Sequence, residues 1–275
     1  MSIYILHNQD LLRKEEFTLK IDNRSFLYSD GFFETIKVIN FKCFNFSYHY
    51  KRIEKSCNLF KFNFNISESV LNTSLEKLAK KNNIVGGRIR VVFFRDSGGK
   101  YLPLNNSSSF VAEIESGENY FSFNKNGLEI GLYTEIKKGI NSFSNCKSTS
   151  ATISVFSSIY AKENNWDDCL IVNSKNNIIQ SSNSNLFIVR DNIIITPSKL
   201  DACVNGTMRS FIIQNFKVQE RSITEQELLE ADELFLTNAI QGVRWVEKLM
   251  EKKYQSHNIA RLVFDKLNLE TYLQS

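Results

Sequence analysis

The sequence predicts a mixed α+β (α/β) protein of two domains, and three observations carry that prediction. Its 275 residues suit one large or two modest domains at roughly 100–200 residues each. Hydrophobic residues make up 42% of the chain and aromatics 12%, with 22 phenylalanines, enough to bury a substantial core. Segments of helical and strand period alternate in both halves, with a polar run (SGENYFSFNKNG) between them at 116–127. The expected division is therefore a small N-terminal α/β domain at 1–115, a linker at 116–127, and a larger C-terminal α/β domain at 128–275.

In chain order, RSFLYSDGFFETIKVIN (24–40) sets β-branched and aromatic residues around a Ser29-Asp30-Gly31 turn signal. Residues 47–62 place Ile53, Cys57 and Phe60 at helical spacing, and 67–83 put Val70, Leu71, Leu75, Leu78 and Ala79 on one stripe. Strands are expected at 88–94 and 109–114, flanking a loop that contains Gly98-Gly99. Beyond the linker a strand is expected at 128–136 and a helix from about Ser148 to Asn165. Strands at 169–173 and 186–190 bracket a polar turn, and another follows at 193–196. A helix begins after Gly206, and Thr224-x-x-Glu227 is a capping box that announces the next. Strands at 233–236 and 243–246 and a helix at about 256–269 complete the pattern.

With 34 Lys+Arg against 30 Asp+Glu the net charge is only +4, which speaks against a clustered phosphate-neutralising face and hence a nucleic-acid binder. The five cysteines are odd in number, scattered and free of CxxC pairs, as expected of reduced thiols rather than a disulfide framework. MSIYILHNQDLLRKEE holds no apolar run of signal-peptide length, and no stretch reaches ~18 apolar residues. A soluble cytoplasmic protein without membrane or nucleic-acid partners is expected. No GxxxxGK[ST], GxGxxG, HExxH or GxSxG motif occurs, and His7, His49 and His257 have no metal-site spacing.

Seven segments, in order, resemble the fold-type IV pyridoxal-phosphate enzymes, the class IV aminotransferases that include branched-chain and D-amino-acid aminotransferases and 4-amino-4-deoxychorismate lyase. They are YSDGFFETIKV (28–38), HYKRIEKS (49–56), CKSTSATISVFSSIYA (146–161), DDCLIVNSKNNIIQSSNSNLFIV (167–189), TPS (196–198), VNGTMRSFII (204–213) and ADELFLTNAIQGVRWV (231–246). The resemblance implies a two-domain fold like that of D-amino-acid aminotransferase, with pyridoxal 5'-phosphate as cofactor. Lys147, within the larger C-terminal domain and just ahead of a helix, matches the family's Schiff-base lysine and, once displaced by substrate, its proton-moving base. Arg52 matches the residue that grips the cofactor phosphate, with His49 in support. Thr207 and Met208 open a helix after Gly206, where free N–H groups favour an anion. Asn238 and Ala239 match the loop that approaches the phosphate from the other side, and Asn185 braces the strand pair beside position 180.

Gln180 departs from the family's usual Glu, whose carboxylate holds a proton on the cofactor's ring nitrogen; a neutral amide does not favour that charge. Within the family, the compact length, Met208 in NGTMR and the loop RDSGGKY (95–101) resemble the lyase, with Arg95 and Lys100 expected to pair with substrate carboxylates. The implied reaction converts 4-amino-4-deoxychorismate to 4-aminobenzoate and pyruvate on a homodimeric enzyme taking a small amine substrate. Two alternatives stay open: a branched-chain or D-amino-acid aminotransferase, and a cofactor-binding paralogue weakened by Gln180.

Overall fold

The computed structural model describes residues 3–274. The chain divides into two compact units. One runs to Tyr120 and takes in Cys146–Ser150 and the residues from Thr271, and the other comprises Phe121–Asn145 and Ala151–Glu270. Lys147 therefore belongs to the first unit, not to the C-terminal domain of the linear division, and the change of unit falls inside the polar run 116–127.

In the first unit, β1 (Tyr4–His7), β2 (Asp10–Arg13), α1 (Arg24–Tyr28), β3 (Gly31–Ile39), β4 (Lys42–Cys43), α2 (Phe46–Phe60), α3 (Glu68–Lys81), β5 (Gly87–Arg95) and β6 (Ser108–Ser116) follow in order. The strands make a six-stranded sheet, β2-β1-β6-β5-β3-β4. Residues 24–28, expected within a strand segment, instead wind into α1, because the Asn23 side chain caps the Phe26 N–H and Ser29 ends the turn in the left-handed region at φ 54°. The apolar stripe of α3 buries Leu71, Leu75, Leu78 and Ala79 beneath the sheet, while Val70, expected on that stripe, is 43% exposed. Phe32 and Phe93 stack at 4.8 Å in the same core.

The second unit holds β7 (Leu128–Lys138), α4 (Thr152–Glu163), β8 (Asp168–Asn173), β9 (Ile178–Ser181), β10 (Asn185–Arg190), β11 (Ile193–Pro197), α5 (Thr207–Asn215), β12 (Val218–Arg221), α6 (Glu225–Glu230), β13 (Glu233–Asn238), β14 (Gly242–Leu249), β15 (Lys252–Lys253) and most of α7 (Asn258–Gln274). Its sheet runs β12-β11-β10-β13-β14-β7-β8-β9, with β15 on β14, and an extra β9–β10 pairing closes six of these strands into a ring. That closure is the single register pair Gln180–Asn185. The polar turn expected between β8 and β10 thus contains β9, whose four residues are all buried.

The capping box at Thr224 and Glu227 forms as its spacing predicts. α7 starts where the buried Glu233 carboxylate accepts the Ile259 and Ala260 N–H groups at 3.0 and 3.1 Å, a favourable charge at a helix start. Among the described residues no helix is long and apolar enough to cross a membrane.

Candidate active site

In β3, Phe32, Glu34, Ile36 and Val38 share the buried face, so Glu34 puts a carboxylate into an apolar core and is fully enclosed. A charge so placed needs partners. α2 supplies them: His49 and Arg52, three residues apart, lie on one side of the helix and are buried. Arg52 donates Nε to Oε1 and a terminal nitrogen to Oε2, both at 2.7 Å, and His49 Nδ1 meets Oε2 at 2.6 Å. Burial opposes the charge on Glu34, but the Arg52 guanidinium and the hydrogen bonds from Arg52 and His49 outweigh it and hold the carboxyl down to about 2. Burial pushes His49 below its ordinary value despite the Glu34 hydrogen bond, helped by the positive charges of Arg52 and Lys147.

The segment 146–150 runs along the start of β3. The Lys147 carbonyl accepts the Phe33 N–H at 2.9 Å, Ser148 bridges Phe32, and the Thr149 N–H reaches the Gly31 carbonyl at 3.0 Å. These bonds keep residues 148–151 out of the helix that sequence spacing began at Ser148; α4 starts only at Thr152. Gly31 is needed there, since a Cβ would lie 2.5 Å from the Phe93 carbonyl oxygen. The half-buried Lys147 sets its Nζ 4.4 Å from the Phe33 ring centroid, and Arg90 approaches the same ring at 4.3 Å. The structure thus brings Lys147, His49, Arg52 and Glu34 into one neighbourhood of the first unit.

Arg95 stands elsewhere and otherwise than its expected pairing with a substrate carboxylate. Its guanidinium is buried against Asp30 (2.8 and 3.3 Å), Asn106 (2.6 Å) and the Phe60 carbonyl (2.7 Å), so Nε and both terminal nitrogens are engaged. Arg24 grips the same Asp30 and also donates to the Gly98 and Lys100 carbonyls at 3.1 and 2.6 Å. The two arginines brace the glycine loop from beneath, while Lys100 is exposed on it.

In the second unit the expected residues converge on one peptide. Gln180 and Asn185 face each other across β9 and β10, and both reach the backbone of Val204. The Val204 N–H donates to Gln180 Oε1 at 2.8 Å, and Asn185 Nδ2 donates to the Val204 carbonyl at 2.8 Å. α5 starts three residues later at Thr207 with no side chain capping its first N–H groups, and Thr207 and Met208 are buried at that start. Asn238 turns its own loop, accepting the Ile240 and Gln241 N–H groups and donating to Ser184 and Gln241, with Ala239 at the turn. The neighbouring Thr237 hydroxyl is buried without a hydrogen-bond partner.

Gly206 packs so tightly on Asn185 that an added Cβ would lie 1.8 Å from Asn185 Oδ1. Gly206→Ala is expected to displace Asn185 from Val204 and cost about 1–3 kcal/mol. Thermal unfolding measures this, and an unshifted melting curve would show that the loop rearranges freely.

Sequence reasoning missed Glu34, Phe33 and Arg90. Glu34 had a readable signal, a lone carboxylate at a core-facing position of an alternating strand. Phe33 and Arg90 had none, because their meeting with Lys147 depends on strand pairing.

This geometry sits in a chain whose residues 31–249 match the amino-transferase class IV family. The protein belongs to that family, and its fold is that of the fold-type IV enzymes. It is 25% identical over 232 residues to the aminodeoxychorismate lyase of Vibrio harveyi, covering 81% of this chain and 84% of that one. It is 22% identical over 253 residues to the D-alanine aminotransferase of Bacillus licheniformis, covering 85% and 84%. A Legionella pneumophila structure assigned as a 4-amino-4-deoxychorismate lyase superposes with TM-score 0.85 at 26% identity, covering 94% of this chain and 97% of that one. Members of the family bind pyridoxal phosphate. Each unit by itself offers donors of the kind such a group takes: the first has a lysine amine and a guanidinium. The second has an uncapped helix start, a buried hydroxyl and an amide.

Proposed function

We propose that this chain is a pyridoxal-phosphate-dependent lyase that converts 4-amino-4-deoxychorismate to 4-aminobenzoate and pyruvate, a step of folate biosynthesis, as a cytoplasmic homodimer. Gln180 is the observation that carries this reading. A carboxylate at that position would favour a protonated cofactor ring; the amide does not. Formation of an aromatic product draws the lyase reaction forward, so it tolerates a weaker electron sink than transamination does. Met208 and the loop carrying Gly98, Gly99 and Lys100 support the same choice.

When bound, pyridoxal phosphate withdraws electrons from the carbon that bears the substrate's amino group and so makes the proton on that carbon removable. Lys147 is the residue that attaches the cofactor and, once freed, takes that proton at Nζ. In the first unit Arg52, its plane fixed by Glu34, is the guanidinium suited to phosphate. In the second unit the N–H groups of Thr207 and Met208 at the start of α5 are anion donors. Asn185 holds Val204, and through it the approach to that helix start. Asn238 and Ala239 shape the loop beside Thr237. Lys100 meets a substrate carboxylate; Arg95 serves by holding the loop that carries it.

The test is to supply the cofactor-loaded protein with 4-amino-4-deoxychorismate and follow pyruvate and 4-aminobenzoate. In parallel, branched-chain and D-amino acids are offered with a 2-oxo acid acceptor. Equimolar release of both products is the expected result. Amino transfer without pyruvate release would make the chain an aminotransferase, and inertness towards both would make it a binding paralogue.

A further inference from the structure

Gln180 is only 7% exposed, and its amide is oriented by chemistry rather than by choice. The backbone N–H of Val204 is a donor, so the atom 2.8 Å from it must be the carbonyl oxygen Oε1. Asn185 holds the residue from its other side by donating to the Val204 carbonyl at 2.8 Å. The Gln180 amide nitrogen therefore points away from Val204, and among the described residues the side chain's hydrogen bond is the one that Oε1 accepts. That leaves the amide N–H pair as the group turned away from Val204, so a ligand that completes this site is expected to present an acceptor there.

We infer that Gln180 donates a hydrogen bond to the lone pair of the cofactor's ring nitrogen and thereby keeps that nitrogen unprotonated. The inference rests on the proposed function, which puts pyridoxal phosphate beside Gln180, and deepens it. A pyridinium N–H would face the amide N–H donor against donor, while the side chain's one acceptor atom, Oε1, is turned towards the Val204 N–H. The position thus selects the neutral ring, and with it a substrate class: amines whose conversion ends in an aromatic product, in preference to simple amino acids. A glutamate at the same place would keep one oxygen on the Val204 N–H and turn the other to the ring as an acceptor, reversing the selection without disturbing β9 or β10.

The test uses the full chain loaded with pyridoxal phosphate labelled with nitrogen-15 in the ring, read by NMR. In the natural protein the bound resonance is expected at the position of an unprotonated pyridine and unmoved across neutral pH. In Gln180→Glu it is expected at the pyridinium position. A pyridinium resonance in the natural protein overturns the inference while leaving the proposed function standing. Absence of any bound cofactor, by absorbance and by NMR, overturns both. Should the Glu variant fail to fold, the resonance of the natural protein decides alone.

Discussion

Replacing Lys147 by alanine is expected to abolish turnover and covalent cofactor attachment while the chain stays folded. The side chain is half-buried and its ammonium lies over the Phe33 ring, so its removal opens no fully enclosed core cavity. The backbone bonds that hold residues 147–149 along β3 come from main-chain atoms and survive the substitution. Loss of a positioned proton acceptor alone lowers a rate by about 10²–10⁴, and loss of the attachment point adds to that. Borohydride reduction of the natural holoprotein is expected to fix a pyridoxyl group on the peptide containing Lys147, and to fix none in the alanine variant. Label recovered on another lysine, or turnover within tenfold of the natural protein, would remove Lys147 from its proposed role.

The second large effect falls on Glu34. Glu34→Gln withdraws the carboxylate charge that Arg52 grips with two hydrogen bonds, and breaking a buried pair from one side costs about 3–5 kcal/mol. In a chain of this size that corresponds to a melting temperature lower by roughly 10 °C. The pH dependence has a definite sign. The Glu34 carboxyl is held at about 2 in the folded chain against an ordinary value of 4.5, so its contribution is present above about pH 4.5 and is lost as pH falls towards 2. His49 is also lowered by burial, so it too withdraws stability as pH drops below its ordinary value of 6.5. Glu34→Gln should therefore flatten the acid limb of the stability profile below pH 4.5 and leave the higher limb in place. A variant that melts with the natural protein, or whose acid limb is unchanged, would show that Glu34 is not the charge this helix is organised around. Cofactor affinity measured on the same variant is expected to fall, because the plane of Arg52 is no longer fixed.

Much of the fold was legible because its signals are local. The stripe Leu71, Leu75, Leu78 and Ala79, the capping box at Thr224 and Glu227, and the strand runs of β5, β6, β10 and β13 each declare themselves within a few residues. β9 was hidden inside a polar turn, since its Gln180 and Ser181 look solvent-exposed until the ring of strands closes over them. Arg95 read as a substrate ligand because it flanks a glycine loop, and only the packing of Asp30, Asn106 and the Phe60 carbonyl around it shows what it holds. Lys147 read as the foot of a helix, and its bonds to β3 took it into the other unit.

Taken alone, the sequence determined the mixed α+β class, the family, the lysine and arginine on which the proposed chemistry centres, and an amide at position 180 where the family resemblance implies a carboxylate. Those are matters of residue identity and short-range period. The tertiary structure decided which way that amide faces, which acid orients Arg52, and which basic residue near the glycine loop stays available. Each of these is a competition among donors and acceptors far apart in the chain, such as Val204 and Gln180, 24 residues apart, or Glu34 and Arg52, 18 apart. A buried polar group takes whatever partner the fold delivers to it, and the partner's distance along the chain leaves no mark in the local pattern.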